Sequence, residues 1–533
     1  MDRIRTRNWV LATLLLWLAG VSPALAQARA PAPAVYTVDF PSPAEHLARI
    51  EAALPTGGRD TVELMMPIWS PGYYRVQDYA AQVRDLSVHD AAGHALPVER
   101  VPPNRWRVAT GGASRVVVSY RLLCDHYFVT TNWVSPELGV LNGPATFITL
   151  AGDVKRPQEV HVDLPASWPR VATGLAPAPD GQPRHYRAKD YDALLDAPIV
   201  AGKLDIHEFV VQGVPHYLVD AGAVPEGWDG AKVAGDLRRI VRQTLPLWGR
   251  LPYRKYVFLN MFRPGAGGLE HGNSTLLTTN PERVATPRGY RSWLGFAAHE
   301  YVHALNVKRL RPVELGPFDY EKPPRTPSLW LAEGVTSYLA DLAVTRAGLA
   351  STDDFLASLS GTIRELQESP GRHLQTLEQS SLNVWTNSNS GVGAAPTTVS
   401  YYVKGEVVGF LLDARVRAAT GGRRSLDDVM HRAYRLYGGA HGYTPRQFRA
   451  IAEDVAGVDL EAWFHKAVAS TEELDYSGAL DWFGLRFADD GSWSLVVQQD
   501  ATPEQAAHLR ALTRAAGARR GIRSGGGIPG RGK

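Results

Sequence analysis

The feature that most constrains this chain is a histidine motif in a largely apolar stretch. His299, Glu300 and His303 form the pattern H-E-x-x-H within residues 293–306. On an α-helix, residues four positions apart share a face, so both imidazoles can reach one metal ion. Glu300 is then placed to take a proton from a water molecule rather than to bind the metal. A chain of this length matches the pattern by chance on the order of a few times in a hundred, so the motif requires a third ligand.

A candidate third ligand is Glu333, the only acid in the apolar residues 328–340. A carboxylate in such surroundings is costly unless it is paired or coordinates a metal. Two histidines and one glutamate around zinc, with a fourth position left for water, form a catalytic rather than a structural set. A structural site built on several thiolates is excluded because the chain has one cysteine. The alternative interpretation of Glu333 is a salt bridge to a neighbouring arginine.

Composition limits the remaining function classes. The 533 residues allow about two to four domains, and 44% hydrophobic and 21% charged residues are typical of a globular protein. The formal net charge of +3 gives no electrostatic reason to expect a nucleic-acid or membrane partner. Cys124, the single cysteine, cannot form an internal disulfide, so we expect a buried, inert thiol.

Residues 1–26 have the pattern of a secretory signal peptide. A basic start is followed by an uncharged run over residues 9–21, and an Ala-Leu-Ala cleavage signal precedes Gln27. The run is short for a membrane span, although an uncleaved anchor is the alternative. We therefore expect an exported protein, periplasmic or extracellular, with no membrane span once the leader is cleaved.

Residues 27–203 are predicted to form a β-sandwich-like domain. After a short Ala/Pro-rich linker, alternating stretches such as residues 36–40, 115–122 and 159–164 indicate strands, and turn residues separate them. This part contains no cluster of catalytic residue types. Its aromatic residues are interpreted as core or interface rather than as a ligand platform: Trp69, Tyr73, Tyr74, Trp106 and Trp133.

The pattern changes from residue 204 onward. Residues 233–245 indicate a helix, residues 255–262 a strand, and a glycine-rich turn at 264–268 precedes a second short strand. These glycines would let another backbone approach, as a bound peptide requires, and an ordinary hairpin turn is the alternative. A phosphate loop is disfavoured because its G-x-x-x-x-G-K-[ST] pattern is absent. Further helices are predicted at residues 353–368, 401–412, 425–434, 444–455 and 459–468.

Four stretches resemble the glycyl aminopeptidase family of gluzincin metallopeptidases. They are residues 66–74 (Met-Pro-Ile-Trp-Ser-Pro-Gly-Tyr-Tyr), the motif stretch 299–312, residues 330–338 (Trp-Leu-Ala-Glu-Gly-Val-Thr-Ser-Tyr) and residues 397–405, which contain Y-x-K-G. The resemblance implies an N-terminal β domain and a thermolysin-like catalytic domain over residues 204–470, mixed α/β and then all helical. Family members usually carry a C-terminal PDZ domain as well.

The resemblance also implies a catalytic site. His299, His303 and Glu333 would bind one catalytic zinc ion, and Glu300 would be the general base. Tyr402, the tyrosine of Y-x-K-G, would stabilise the oxyanion of the tetrahedral intermediate. That role suits a phenol, which can donate a hydrogen bond where the carbonyl oxygen becomes negative.

A substrate-aligning segment is implied at Gly267, Gly268 and Glu270, where Glu270 would bind the free α-amino group of a peptide. Two departures from the family pattern stand out. Residues 471–533 are fewer than a PDZ fold ordinarily uses, so we expect a truncated or absent PDZ-like region with a disordered basic tail. The long gap between the second histidine and the glutamate ligand is expected to be absorbed by a proline-rich surface loop at residues 312–327.

The sequence therefore predicts a multidomain α+β protein: a β-rich domain, a zinc metallopeptidase domain and a short C-terminal remnant. Its predicted function is that of an exported zinc aminopeptidase acting on peptides, and the resemblance implies small first residues, glycine or alanine. A zinc endopeptidase of the same fold would share every ligand. An exported peptide-binding protein without turnover is the third possibility.

Overall fold

The structure, a computed structural model, describes residues 31–386 and 396–514. A β-rich region is followed by a mixed region and then a helical one, which confirms the α+β class predicted from the sequence. The predicted signal peptide at residues 1–26 and the basic tail from residue 515 onward lie outside the described residues. In the part of the chain that is described, no helix combines the length and hydropathy needed to cross a membrane.

Three β-sheets build the N-terminal region, residues 31–203. Its elements, in chain order, are β1 (Ala34–Ser42), β2 (Leu47–Pro55), β3 (Thr61–Met65), β4 (Val83–Asp90), β5 (Val98–Val101), β6 (Arg105–Ala109), β7 (Arg115–Leu123), β8 (Trp133–Val134), β9 (Leu138–Leu141), β10 (Thr149–Leu150), β11 (Gln158–Val162), β12 (Arg170–Thr173), β13 (Ala176–Pro177), β14 (His185–Ala188), α1 (Tyr191–Leu195) and β15 (Ile199–Gly202). The sheet orders are β13-β14-β11-β1-β2-β7-β4, β10-β3-β6-β5 and β12-β15-β9-β8. Alternate residues of β1 (Tyr36, Val38 and Phe40) are buried, as expected for strands with one face on a core.

The third sheet of this region is apolar on both faces. Successive residues of a strand point to opposite sides. Leu141 of β9 belongs to the hydrophobic core of the N-terminal region, whereas its neighbour Val140 is buried in a second cluster. That second cluster also contains Leu259 and Met261, which lie in the next part of the chain. An apolar layer therefore joins the two regions.

The C-terminal region, residues 204–514, begins with a five-stranded sheet. Its first elements are β16 (Asp205–Val211), β17 (Val214–Gly222), α2 (Gly230–Gln243), α3 (Leu245–Trp248), β18 (Tyr256–Phe262), β19 (Gly267–Glu270) and β20 (Ser274–Thr279). The sheet order is β16-β17-β18-β20-β19. β18 is buried at every position and pairs in parallel with β17 and β20. β19 pairs antiparallel with β20 and forms the edge of the sheet.

Helices form most of the remaining chain. The elements are α4 (Pro281–Val284), α5 (Pro287–Val302), α6 (Val335–Arg346), α7 (Thr352–Glu368), α8 (Leu377–Leu382), α9 (Tyr401–Ala419), α10 (Leu426–Tyr437), α11 (Pro445–Ala456), α12 (Glu461–Phe464), α13 (Ser477–Phe483), β21 (Leu485–Phe487), β22 (Leu495–Val497) and α14 (Pro503–Thr513). Their starts carry ordinary capping chemistry: Ser351 and Asp354 form a capping box at α7, and Thr444 caps α11.

Residues 312–327 form a largely irregular segment, as the sequence predicts, but parts of it are buried rather than on the surface. Leu315 and Tyr320 are buried. The carboxylate of Glu321 accepts hydrogen bonds of 2.7 and 2.6 Å from Arg105 of the N-terminal region. Proline content indicates irregular backbone but does not report tertiary contacts, which is why the sequence could not reveal this role. The segment is a connection between the two regions.

The described part of the C-terminal remnant, residues 471–514, packs into the helices before it. Phe483, Leu485 and Leu512 belong to the same buried cluster as Phe410 of α9. These residues therefore extend the core of the C-terminal region.

Candidate active site

Helix α5 ends within the motif: His299 lies in its last turn, and His303 is its C-cap. It begins at Pro287 behind Thr286, whose side chain caps its first turn. His299 and His303 stand one turn apart, and their Nε2 atoms lie 2.9 Å from each other. The spacing in the sequence therefore places both imidazoles at one point in space.

Glu333 joins them from a turn of π-helix, Trp330–Gly334, directly before α6. Its Oε2 lies 3.1 Å from Nε2 of His303 and 3.5 Å from Nε2 of His299. The side chain of Glu333 is only 2% exposed. A π-turn adds one residue to a helical turn and is frequent at functional sites. Here it directs the carboxylate at the two imidazoles.

The outer ring nitrogens of both histidines are held by hydrogen bonds. Nδ1 of His303 lies 2.7 Å from the carbonyl oxygen of Asn306, which can only accept, so this nitrogen carries the proton. Nδ1 of His299 lies 3.2 Å from the hydroxyl of Ser337, whose own proton is donated to the carbonyl of Glu333. Both Nε2 atoms therefore point at the Glu333 carboxylate. Two imidazole nitrogens and one carboxylate oxygen are a donor set that zinc coordinates.

The charges in this cluster also favour a cation. Burial lowers the pKa of His303, but the carboxylates of Glu333, Glu270 and Glu300 outweigh burial and raise that pKa to about 10. For Glu333 burial raises the pKa, yet the two imidazoles reverse the effect and lower it overall. The raised pKa of His303 and the lowered pKa of Glu333 have the same cause: a positive charge is stabilised among these buried carboxylates. A divalent cation held by His299, His303 and Glu333 would meet it, so the residues present fit zinc.

Glu300 stands beside this cluster and is almost fully buried. Burial raises its pKa to about 8, with His303 opposing and the charges of Glu270 and Glu333 adding to the rise. Its carboxylate rests against the backbone of β19, because a Cβ at Gly268 would lie 2.2 Å from Oε1. Gly268 thus has a role that sequence reasoning did not identify: it makes room for Glu300.

The edge strand β19 ends at Glu270. One side of the strand pairs with β20, from Gly267 opposite Thr278 to Glu270 opposite Thr275. An edge strand of this kind can accept an extended peptide through backbone hydrogen bonds. Glu270 itself is 4% exposed, and its Oε1 has no hydrogen-bond partner among the described residues. Its carboxylate, that of Glu300 and a ring nitrogen of His303 lie within 4.8 Å of one another.

Tyr402 approaches the cluster from the first turn of α9, which Ser400 caps. Its ring stacks near His299, with centroids 6.1 Å apart and planes inclined by 27°. Burial, followed by the charge of Glu333, raises the pKa of Tyr402 well above its usual value. The phenol therefore keeps its proton and can donate a hydrogen bond into the site.

Asn306 and Ser337 are polar residues near the ligands to which sequence reasoning assigned no role. The side chain of Asn306 donates to the carbonyl of Leu331 at 2.7 Å and to the hydroxyl of Thr336 at 3.0 Å. It thereby ties the end of α5 to the segment that carries Glu333. The only available sequence signal was their spacing, since each follows a ligand by three or four residues in an apolar stretch.

Comparisons with known proteins match two parts of the chain to one peptidase family. Residues 35–203 match the Peptidase M61 N-terminal domain, and residues 292–408 match the M61 glycyl aminopeptidase domain. No curated protein matches the chain significantly in sequence.

Solved structures with the same fold include metallopeptidases. An aminopeptidase N family protein from Idiomarina loihiensis is 28% identical and superposes with a TM-score of 0.80, covering 88% of this chain and 82% of that one. An M1 zinc metallopeptidase from Deinococcus radiodurans is 14% identical with a TM-score of 0.52, covering 83% of this chain and 94% of that one. A mutant of that enzyme, bound to a Tyr-Ser-Ala substrate, superposes with a TM-score of 0.53 at 14% identity and the same coverage. At 14% identity, the likeness to the M1 zinc metallopeptidase and its mutant shows the fold alone.

Proposed function

The chain belongs to the M61 glycyl aminopeptidase family and is a zinc metallopeptidase, and from this premise we propose that it is an exported aminopeptidase. We propose that it releases small first residues, glycine or alanine, from peptides. The family inferred from the sequence is thereby confirmed. The observation that carries the aminopeptidase proposal is Glu270. Its buried carboxylate has an unpaired oxygen at the end of an edge strand and lies beside the candidate metal ligands. A buried carboxylate in that position calls for a cationic donor, and the free α-amine of a peptide is one.

Zinc held by His299, His303 and Glu333 would polarise the scissile carbonyl and lower the pKa of a bound water. The chain's own groups then divide the remaining work. An oxygen of the Glu300 carboxylate takes a proton from the attacking water and later delivers it to the leaving amine. The hydroxyl of Tyr402 donates a hydrogen bond to the carbonyl oxygen of the substrate as that oxygen becomes negative.

Substrate position follows from β19 and Glu270. A peptide that pairs with the free edge of β19 has its backbone direction set by the strand. Glu270 then accepts hydrogen bonds from the free amine, which fixes the first residue next to the metal ligands and excludes longer N-terminal extensions. Holding both ends of the first residue in this way is the physical basis of an exopeptidase.

Export is proposed from the sequence of residues 1–26, whose basic start, uncharged run and Ala-Leu-Ala signal are typical of a secretory leader. The mature protein would then act in the periplasm or outside the cell. Mass spectrometry of the protein recovered from culture should find a first residue at or near Gln27. Recovery of the intact leader would contradict cleavage.

The proposed activity is tested with glycyl and alanyl 4-nitroanilides that carry either a free or an acetylated amine, each with and without a zinc chelator. Cleavage of the free-amine substrates alone, abolished by the chelator and restored by zinc, is the expected result. Cleavage of the acetylated substrates would indicate an endopeptidase. Bound zinc without any cleavage would indicate a peptide-binding protein.

Two variants connect that activity to the assigned groups. Glu300→Gln should retain zinc and lose turnover, because an amide cannot take the proton from water. Tyr402→Phe should lower kcat by roughly ten- to a thousandfold while zinc content stays unchanged. Unchanged turnover in either variant would remove that residue from the mechanism.

A further inference from the structure

A loop of the N-terminal region reaches the candidate active site. The 69–74 loop (Trp-Ser-Pro-Gly-Tyr-Tyr) lies between β3 and β4. The backbone N–H of Ile68 donates to the carbonyl of Tyr320, and the indole N–H of Trp69 donates to the carbonyl of Asp319, both at 2.9 Å. Both acceptors lie in the segment between α5 and α6. The loop is therefore held at the boundary between the two regions.

Gly72 brings this loop directly against Glu270. Its φ of +92° lies in the left-handed region that favours glycine. A Cβ at this position would lie 2.4 Å from both carboxylate oxygens of Glu270. Position 72 has no room for a side chain as long as Glu270 keeps its place.

Tyr74 stands two residues further on and packs into the core of the C-terminal region. It is 7% exposed, and its ring meets that of Trp385 edge to face with centroids 6.0 Å apart. Trp385 is fixed in turn, because its indole N–H donates to the carbonyl of Pro324 at 2.5 Å. Burial first, and then the charges of Glu333 and Glu270, raise the pKa of Tyr74. The charges of both carboxylates therefore act on the phenol of Tyr74.

These contacts indicate where the first residue of a substrate lies. Its amine would bind Glu270, and its carbonyl would lie beside the metal ligands Glu333 and the two histidines. The first residue would then span the distance between the carboxylates of Glu270 and Glu333. Gly72, Tyr74 and Glu270 also line a cleft of about 930 Å³ between the two regions. Tyr74 is therefore part of the wall of the cleft that Glu270 also lines.

We propose that Tyr74 is the wall that limits the size of the first residue, and that Gly72 positions Glu270 for the substrate's amine. This inference rests on the proposed aminopeptidase function and deepens it, because it makes the N-terminal region part of the substrate site. The substrates it predicts are peptides with a free amine and a first side chain no larger than a methyl group. Tyr74 acts as a specificity-determining residue and Gly72 as a positioning residue.

The role of Tyr74 is tested by kcat/KM on glycyl, alanyl and leucyl 4-nitroanilides. Tyr74→Ala should raise the leucyl-to-glycyl ratio by roughly 10- to 200-fold, the range that extra methylenes produce in an apolar pocket. Tyr74→Phe keeps the ring and should leave the ratio unchanged. Tyr74→Leu, which retains apolar volume, should shift the ratio in the same direction by a smaller factor. It keeps the test available if the alanine variant does not fold.

An unchanged ratio in the active Tyr74→Ala or Tyr74→Leu protein overturns the wall assignment and leaves the proposed function intact. A shifted ratio in Tyr74→Phe also overturns it, because the hydroxyl rather than the ring would then set the preference. A wild-type protein that loads zinc and cleaves no free-amine substrate overturns the proposed function and this inference together.

The role of Gly72 is tested by KM and zinc content. Gly72→Ala should raise KM for glycyl and alanyl amides by at least about tenfold, because Glu270 must move from its charge-assisted bond to the amine, while zinc content stays unchanged. Gly93→Ala is the matched control. Gly93 has a φ of +89°, and a Cβ there would have no neighbour within 4 Å, so this substitution adds backbone strain without a steric contact. Its KM should equal that of the wild type. Equal KM in Gly72→Ala and the wild type, or an equal rise in both variants, overturns the positioning role.

Discussion

The carboxylate of Glu300 occupies space that any side chain at position 268 would need. Helix α5 fixes where the Glu300 side chain starts, and β19 fixes the backbone that faces it. The separation between them leaves room for a carboxylate only because position 268 carries no Cβ. A proton acceptor in an active site is effective only when it is held within a fraction of an ångström of its working position. Gly268 therefore controls the catalytic geometry through its missing side chain.

Substituting this glycine should impair turnover without removing the metal. In Gly268→Ala the new Cβ would lie 2.2 Å from Oε1 of Glu300, so either the carboxylate or β19 must shift. A misplacement of about 1 Å costs on the order of a hundredfold in kcat, and we expect a loss of that size with unchanged zinc content. In Gly267→Ala the Cβ would make ordinary contact with Val129 at 3.4 Å, so kcat should fall far less. Equal losses of kcat in the two variants would show that a change in the geometry of β19, rather than the contact with the Glu300 carboxylate, causes the loss.

How far the site could be predicted depends on the kind of contact each residue makes. The positions of His299 and Glu300 follow from helical periodicity, and Glu333 was suggested by its isolation among apolar residues, since both are local patterns. The hydrogen bond that orients His303 goes to a backbone carbonyl, which leaves no trace in the residue type at position 306. The contact of Gly72 with Glu270 joins residues nearly two hundred positions apart, and no local pattern reports it.

Two glycines let the helical elements around the site approach each other closely. A Cβ at Gly334, the last residue of the π-turn, would lie 2.5 Å from the backbone of Gly405 in α9. A Cβ at Gly405 would lie 2.6 Å from the carbonyl oxygen of Trp330 in the same π-turn. The turn that carries Glu333 and the helix that carries Tyr402 are therefore in backbone contact. Their separation sets the distance between the metal ligand and the phenol.

Enlarging one of these glycines should damage stability and the site together. Gly405→Ala forces the π-turn and α9 apart, and overpacking of this kind costs about 1–3 kcal/mol of unfolding free energy. We expect a lower Tm, weaker zinc retention during dialysis and a lower kcat. Gly409→Ala, one turn further along α9, would place its Cβ 3.4 Å from Cβ of Tyr338, so it should change Tm little and leave zinc bound. A Gly405→Ala protein with normal zinc retention and kcat would contradict the argument.

At the scale of elements, the sequence predicts the long helices well because they carry their own signals. Helix α7 has an apolar stripe and a Ser351 capping box, and α11 has a Thr-Pro start. The π-turn Trp330–Gly334 could not be predicted, because an i→i+5 hydrogen bond has no periodicity distinct from its flanking turns. The edge position of β19 depends on strand order, which no stretch of the sequence encodes locally.

Viewed as a whole, the molecule is joined across its two regions by apolar contacts and by charged ones. The third sheet of the N-terminal region and the sheet of the C-terminal region share a buried cluster that includes Val140 and Leu259. Tyr74 and the bond between Arg105 and Glu321 add contacts across the boundary. Interfaces between regions that are large and apolar suppress independent motion and couple their unfolding. The candidate active site lies at this boundary, so its geometry depends on both regions.

The two regions should therefore unfold together, and the metal should stabilise both. Differential scanning calorimetry of the zinc-loaded protein should show a single transition, and a chelator should move that whole transition to a lower temperature because zinc binds only the folded state. Leu259→Ala, at the shared cluster, should lower its temperature through a loss of about 2–5 kcal/mol. Leu436→Ala removes the same atoms from a side chain that is 54% exposed and should leave the transition within about 0.5 kcal/mol of the wild type. Two separate transitions, of which the chelator or Leu259→Ala moves only one, would show that the two regions fold independently. The boundary contacts would then be too weak to hold Tyr74 and Gly72 in the substrate site.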